Sequence, residues 1–246
     1  MARKGRAPLR ALLALVSKSH PQLDAASAIT SGLVLVDGRV ATNPQSLVRR
    51  DASITIRRDQ PLRGEAKLAA ALTGFGVAVA GRVALDLGAA AGGFTRTLLA
   101  AGAARVYAVD AGFGQLLGSL RRHPAVVVLE RTNLADLSRA LVPEAVGVLT
   151  SDLSYVALAR ALPQLEGRVA FELDADLLAV VKPQFELGLP QAPTEPAHRA
   201  EAAALAVRGA ERAGWAAHGV EESPVRGARG AIELLLHATR VGQPVD

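Results

Sequence analysis

The stretch LDLGAAAGGFTRTLLAAGAARVYAVDAG, from Leu85 to Gly112, decides the fold. It begins as an apolar strand and turns through Gly88, Gly92 and Gly93. It then opens a helix near Phe94 and returns to a second apolar strand that ends on Asp110, 24 residues after Asp86. Glycine in such a turn lets the backbone bend sharply and lets a ligand approach the main chain with no Cβ in the way. A carboxylate closing the second strand can accept hydrogen bonds from both hydroxyls of a ligand ribose. The pattern therefore points to a nucleoside-bearing cofactor, against the plainer reading of a tight strand-to-helix turn with no ligand. A dinucleotide site would carry G-x-G-x-x-G and a P-loop a lysine. The spacing here is Gly88-x-x-x-Gly92-Gly93 with no lysine, which disfavours a phosphate cradle.

Outward from this turn, the apolar runs VALDLG, VYAVDAG, AVVVLE, VGVLTSD, DLLAVVKP and AIELLLHA alternate with helical stretches from Val83 to the end. Strands buried on both faces and separated by helices predict a parallel, doubly wound α/β sheet. Upstream, EAKLAAALTGFG reads as a short helix with a glycine stop, and RRDQPLRG has the composition of a joint. The first part is a helix pair, PLRALLALVSK and PQLDAASAITSG, with Leu9, Leu12, Leu13 and Val16 on one face of the first helix. LVLVDGRVATNP then alternates about Asp37-Gly38, a hairpin signal, and ASITIRR supplies a further strand.

Composition narrows the function classes. The chain has 246 residues, half of them hydrophobic and 3% aromatic, so its core is built from Ala, Val and Leu. With no Cys and five unpaired His, neither a disulfide framework nor a metal site is expected. ALLALV is shorter than the roughly 7–15 apolar residues of a signal-peptide core. No run approaches the roughly 18 apolar residues of a membrane span. A cytoplasmic protein is the expectation. Residues 1–60 hold ten Lys/Arg against four Asp, a charge of +6, while the remainder carries 18 basic and 19 acidic residues, or −1. The split suggests a polyanion-binding module on a neutral body, although basic residues also simply solvate a surface.

The amino-terminal part, in SGLVLVDGRVATNPQSLVRRDASITI and the helix pair before it, resembles the αL-motif RNA-binding domain of a ribosomal small-subunit protein, many pseudouridine synthases and certain rRNA methyltransferases. Such domains usually carry basic residues on the second helix, and LDAASAIT has none. The resemblance then puts RNA contact on Arg3, Lys4, Arg6, Arg10, Lys18, Arg49 and Arg50, with Arg63 beyond them. The glycine spacing is similar to the first motif of S-adenosylmethionine (SAM) methyltransferases. DLGAAAGGFTRTLLAAGAARVYAVDAGFGQL, LERTN, SDLSYVAL, VKPQFE and GAIELLLHA follow in the order of the TlyA family of rRNA 2′-O-methyltransferases, related to FtsJ-type ribose methyltransferases. This resemblance covers nearly the whole chain. It implies a Rossmann-like SAM-dependent methyltransferase sheet over 67–246, a linker over 59–66 and a small α+β RNA-binding domain over 1–58.

The resemblance also implies a catalytic Lys-Asp-Lys-Glu set on Lys67, Asp152, Lys182 and Glu233. It implies a cofactor site from Asp86, Gly88, Gly92, Gly93, Phe94, Asp110, Asn133 and Asp152. GAAAGG stands where the family more often has GASTGG, which removes two hydroxyls, and RGEAK stands for the usual Gly-Gly-Glu-Lys. Methylating a ribose hydroxyl needs alignment and a base for its proton. Lys182 is expected as that base, with Lys67 beside it favouring the neutral amine and holding the target nucleotide, and with Asp152 and Glu233 orienting both partners. Plainer readings exist: Lys182 as a solvated lysine after a strand, and Asp152 as the cap of a helix starting near Ser154. A carboxylate within AIELLLHA has no such plain reading, since burying it unpaired is costly. His198, His218, His237, Trp215 and Tyr107 read as packing or surface residues.

The resemblance implies methylation of cytidines in large-subunit rRNA and, for some members, small-subunit rRNA, within ribosomal subunits. The alternative is an RNA-binding or ribosome-assembly factor without turnover. The family's historical label of haemolysin finds no membrane span or surface helix with bulky apolar anchors to support it.

Overall fold

A computed structural model describes residues 9–30, 32–56 and 62–241. The chain divides into two compact units, one of residues 1–60 with 117–123, the other of 61–116 and 124–246.

In the first unit β1 (Leu9–Ala11) leads directly into α1 (Leu12–Ser19), and α2 (Ala25–Thr30) follows. β2 (Val34–Val36), β3 (Arg39–Ala41), β4 (Leu47–Arg49) and β5 (Ile54–Ile56) complete it. β2 pairs antiparallel with both β3 and β5, and β1 with β4. Asp37 (φ 48°) and Gly38 (φ 78°) are both left-handed, the conformation a two-residue hairpin turn requires. Leu12, Val16, Ala25, Ala28, Ile29 and Val34 form the unit's core. The predicted helical face holds at Leu12 and Val16, but Leu9 belongs to β1 instead.

The second unit opens with α3 (Arg63–Phe75), which starts inside the stretch read as linker and stops at Gly76 in the left-handed conformation (φ 69°). Then come β6 (Val83–Leu87), α4 (Gly93–Ala100), β7 (Arg105–Asp110), α5 (Gly118–Arg121) and β8 (Val126–Glu130). β9 (Val146–Ser151), α6 (Leu158–Ala161), β10 (Phe171–Val181), α7 (Pro183–Glu186) and α8 (Pro196–Arg212) follow. β11 (Trp215–Glu222) and β12 (Leu234–Arg240) are the last strands among the described residues. Residues 117–123, which contain α5, group with the first unit.

Seven strands form one sheet in the order β11-β12-β10-β9-β6-β7-β8. The five from β10 to β8 are parallel, whereas β12 runs antiparallel to β10 and β11 antiparallel to β12. The sheet is therefore mixed at one edge, not parallel throughout, and β11 is a strand that the apolar runs did not reveal. Register explains the two cores. Ala84, Val106, Val148 and Leu178 point to one face, where Leu68 and Phe94 cover them. Leu85, Tyr107, Leu149 and Leu177 point to the other, which also holds Trp215. Among the described residues, no helix is long and apolar enough to cross a membrane.

Candidate active site

The glycine turn is organised by neighbouring backbone. Gly88 (φ +83°) and Ala89 both donate their N–H to the Val109 carbonyl, at 2.9 and 3.0 Å. A Cβ on Gly88 would stand 2.9 Å from the Asp152 carbonyl oxygen, so only glycine lets β6 end this close to β9. Gly92 (φ 96°) supplies the left-handed turn into α4. Gly93 serves packing instead: a Cβ there would lie 3.0 Å from Gly64 Cα and from the Glu65 N–H nitrogen. That approach, with Arg96 donating to Glu65 at 2.8 Å, sets α3 against α4 and delivers Lys67 to the site.

Asp110 is fixed by two backbone donors, Ala90 N–H on Oδ2 at 2.8 Å and Gly112 N–H on Oδ1 at 2.7 Å. It lines a cavity of about 320 Å³ with Gly88, Gln115, Thr132, Asp152 and Tyr155, close to the lower end of ordinary ligand sites at roughly 300 Å³. No Lys or Arg is among the described residues of its wall. A larger cavity of about 500 Å³ lies beside Phe171, Trp215 and Arg240. These residues mark the opposite ends of the strands, and none of the four candidate catalytic residues lines it.

At the carboxyl ends of the parallel strands the four charged residues converge. Lys67 comes from the second turn of α3 and Asp152 follows β9, its N–H still bonded to the Leu87 carbonyl at 3.0 Å. Lys182 sits between β10 and the Pro183 that starts α7, a junction where proline's fixed φ suits the first helical position. Glu233 immediately precedes β12. Because β12 is antiparallel, with Leu234 opposite Val181, its beginning falls beside the end of β10. The antiparallel edge is thus what brings Glu233 to the crevice. A Cβ at Gly227 would fall on the Glu233 carboxyl, so the loop before β12 needs glycine there.

Lys67 Nζ lies 2.6 Å from Glu233 Oε2 and 3.2 Å from Asp152 Oδ2, while Lys182 Nζ lies 2.7 Å from Asp152 Oδ1. Asp152 therefore stands between the two ammonium groups and gives one oxygen to each, so the lysines meet across a carboxylate and not directly. Lys67, Lys182 and Glu233 are 5%, 7% and 3% exposed, which removes the reading of either lysine as a solvated surface group. Burial alone would lower the Lys67 pKa, but Asp152 and Glu233 together outweigh it and hold the ammonium above its usual value. Burial likewise works to raise Asp152, and Lys182 and Lys67 outweigh it to hold that carboxyl below its usual range. Lys67 is thus a fixed cation and Asp152 a fixed anion. Asp152 caps no helix, since α6 starts only at Leu158.

Other residues of the anticipated set stand elsewhere. Asp86 is fully buried, and its oxygens accept from Thr95 Oγ1 at 2.7 Å and Thr150 Oγ1 at 3.0 Å. It ties β6 to α4 and β9 and does not line the cavity. Phe94 is a core residue. Asn133 is exposed and engaged with Asp136, while its neighbours Thr132 and Leu134 line the cavity. Arg10, Lys18, Arg49, Arg50 and Arg63 are exposed, Arg49 near Asp37 and Asp51; Arg3, Lys4 and Arg6 lie outside the described residues. Sequence reasoning missed Ser154, Tyr155, Gln115 and Thr132, uncharged residues in loops with no spacing to mark them. Among the described residues no cluster of three or more His, Asp or Glu could hold a metal ion.

A seven-stranded sheet with this order, a bare turn after β6, the middle one of its five parallel strands, and a buried charge cluster at the carboxyl ends are the features of a methyltransferase. The FtsJ-like methyltransferase family is matched over residues 62–240, and the chain belongs to it. Within that class its sequence is 41% identical to the 16S/23S rRNA (cytidine-2′-O)-methyltransferase TlyA of Mycobacterium tuberculosis, over 96% of this chain and 90% of the relative. Among solved structures, a hemolysin-labelled protein of Streptococcus thermophilus superposes with a TM-score of 0.70 at 27% identity, covering 96% of this chain and 90% of that one. Another from Lactococcus lactis gives 0.68 at 31%, covering 75% and 93%.

Proposed function

We propose that the chain transfers a methyl group from SAM to the 2′-hydroxyl of a cytidine in ribosomal RNA, in the large subunit and also in the small, within assembled subunits in the cytoplasm. The observation that carries this reading is the chain of Glu233, Lys67, Asp152 and Lys182, which meets through Asp152 a cavity with no Lys or Arg among its described wall residues. A wall with two carboxylates and no cation fits a nucleoside that is itself cationic and not one bearing a polyphosphate. Gly88, Asp110 and the wall residues Gln115, Thr132 and Tyr155 would hold it. SAM supplies a methyl already activated by its positive sulfur.

The chain's own work is then positioning and proton removal. Lys182 takes the proton of the ribose hydroxyl at Nζ as the oxygen accepts the methyl. Asp152 orients that nitrogen, and Lys67, kept charged by two carboxylates, holds the target nucleotide. The first unit, with its exposed Arg10, Lys18, Arg49 and Arg50, grips the RNA backbone in the manner of an αL-motif domain, so binding weakens as salt rises.

Incubating the protein with tritiated SAM and separately with unmodified large and small subunits tests the reading. Label is expected in RNA of both subunits with the native chain and in neither with Lys182→Ala. Binding of SAM and subunits with no label transferred would favour the RNA-binding factor instead.

A further inference from the structure

Lys182 Nζ has a second close partner that no charge pattern pointed to. It donates to Ser154 Oγ at 2.6 Å as well as pairing with Asp152 Oδ1 at 2.7 Å. Ser154 also lines the cavity that holds Asp110 and Gly88, so its hydroxyl stands where the charge cluster meets that cavity. A tetrahedral nitrogen has three positions besides its carbon. In an ammonium all three are N–H donors; in the amine one becomes the lone pair. If only Asp152 held Nζ, rotation about the Cε–Nζ bond would leave the lone pair two alternative directions. With Ser154 accepting one hydrogen and the Asp152 carboxylate drawing the other to its side, the lone pair has one direction left.

We propose that Ser154 is a positioning residue for the transfer, fixing the lone pair of Lys182 so that it faces the attacking hydroxyl. The proposal rests on Lys182 being the base in the reading above. In the step itself the hydroxyl proton moves to Nζ while the oxygen's electron pair forms the new bond to the methyl carbon. The sulfur keeps the electron pair of the bond that breaks. Nζ ends as an ammonium held by Asp152 and Ser154, and its extra proton leaves to water after product release. Asp152, with Lys67 and Glu233 behind it, stays charged throughout, and Glu186 faces the small void beside Lys182 on the α7 side.

One feature separates this role from mere packing. Ser154 is exposed, so removing its hydroxyl opens no core cavity.

The test compares native chain, Ser154→Ala and Ser154→Thr for the kinetics of tritium transfer from SAM to ribosomal subunits, with SAM affinity by calorimetry. For Ser154→Ala the expected result is a kcat lower by about tenfold to a hundredfold, because the base is misoriented. SAM affinity and KM for subunits should stay within about twofold. Ser154→Thr, which keeps the hydroxyl, should recover most of kcat. A native chain that transfers label while Ser154→Ala keeps the native kcat would overturn the proposal and leave the methyltransferase reading standing. So would a loss that follows SAM affinity, or one that Thr does not restore. A native chain without transfer would remove both.

Discussion

Replacing Asp86 with Asn should stabilise the fold at neutral pH and erase a pH dependence that the native chain carries. Asp86 is 0% exposed. Burial pushes its carboxyl up from 3.8 to about 6, against the Thr95 and Thr150 hydrogen bonds that favour the ionised form, and the Asp152 charge adds to the rise. Between those two values the folded chain keeps a proton at this site that the unfolded chain has already released. Stability from this group is therefore fully present below 3.8, falls as pH rises to about 6, and stays low above. Roughly two pH units at about 1.4 kcal/mol each set a ceiling of about 3 kcal/mol. About 1 kcal/mol of that is already lost near pH 4.5, which leaves about 2 kcal/mol between there and pH 8. Asn keeps the shape, accepts from one threonine hydroxyl and donates to the other, which can rotate to receive it. The assay is urea unfolding of both proteins at the two pH values. Other titrating groups cancel in the variant-minus-native difference, which should favour Asn by about 2 kcal/mol more at the higher pH. An Asn variant equally destabilised at both pH values would refute the reasoning, because Asp86 would then be ionised throughout and held by its two donors.

Glu233→Ala leaves Lys67 buried with one carboxylate at 3.2 Å, which should cost about 3–5 kcal/mol in denaturant unfolding; Glu233→Gln, which keeps an acceptor, should cost less. Gly88→Ala forces a Cβ to within 2.9 Å of the Asp152 carbonyl at a φ of +83°. A loss of about 1–3 kcal/mol in stability together with weakened SAM binding by calorimetry is expected. The affinity for ribosomal RNA should fall linearly on a log–log plot against salt. Arg50→Ala should lose more affinity than Arg49→Ala, because Arg49 already has Asp37 and Asp51 at 3.5 and 3.7 Å.

The parts of the fold that were legible are those with a physical signature in neighbouring residues. The turn after β6, the Asp37-Gly38 hairpin and the glycine stop of α3 depend on backbone conformations that few residues adopt. β11 escaped because WAAHGVEE is poor in β-branched residues and partly exposed at a sheet edge, so neither an apolar run nor a clean alternation marks it. The direction of β12 is set by tertiary pairing that no local pattern encodes, although Glu233 reaches the site only because of it. Lys67, Asp152, Lys182 and Glu233 were picked out through the resemblance, and only Glu233, a carboxylate inside an apolar run, was conspicuous by itself. Asp86 was drawn toward the cofactor by the same resemblance. In a strand buried on both faces, however, polarity does not tell which way a carboxylate points. Ser154 carries no charge and sits in a loop, so only its 2.6 Å contact with Lys182 gives it meaning.

The central claim is tested most directly by nucleoside mass spectrometry of rRNA digested after incubation of unmodified ribosomal subunits with the native chain and SAM. The account predicts 2′-O-methylcytidine, formed by the native chain and absent with Lys182→Ala. A methyl group on the base instead of the ribose, or 2′-O-methylcytidine formed equally well by Lys182→Ala, would contradict it.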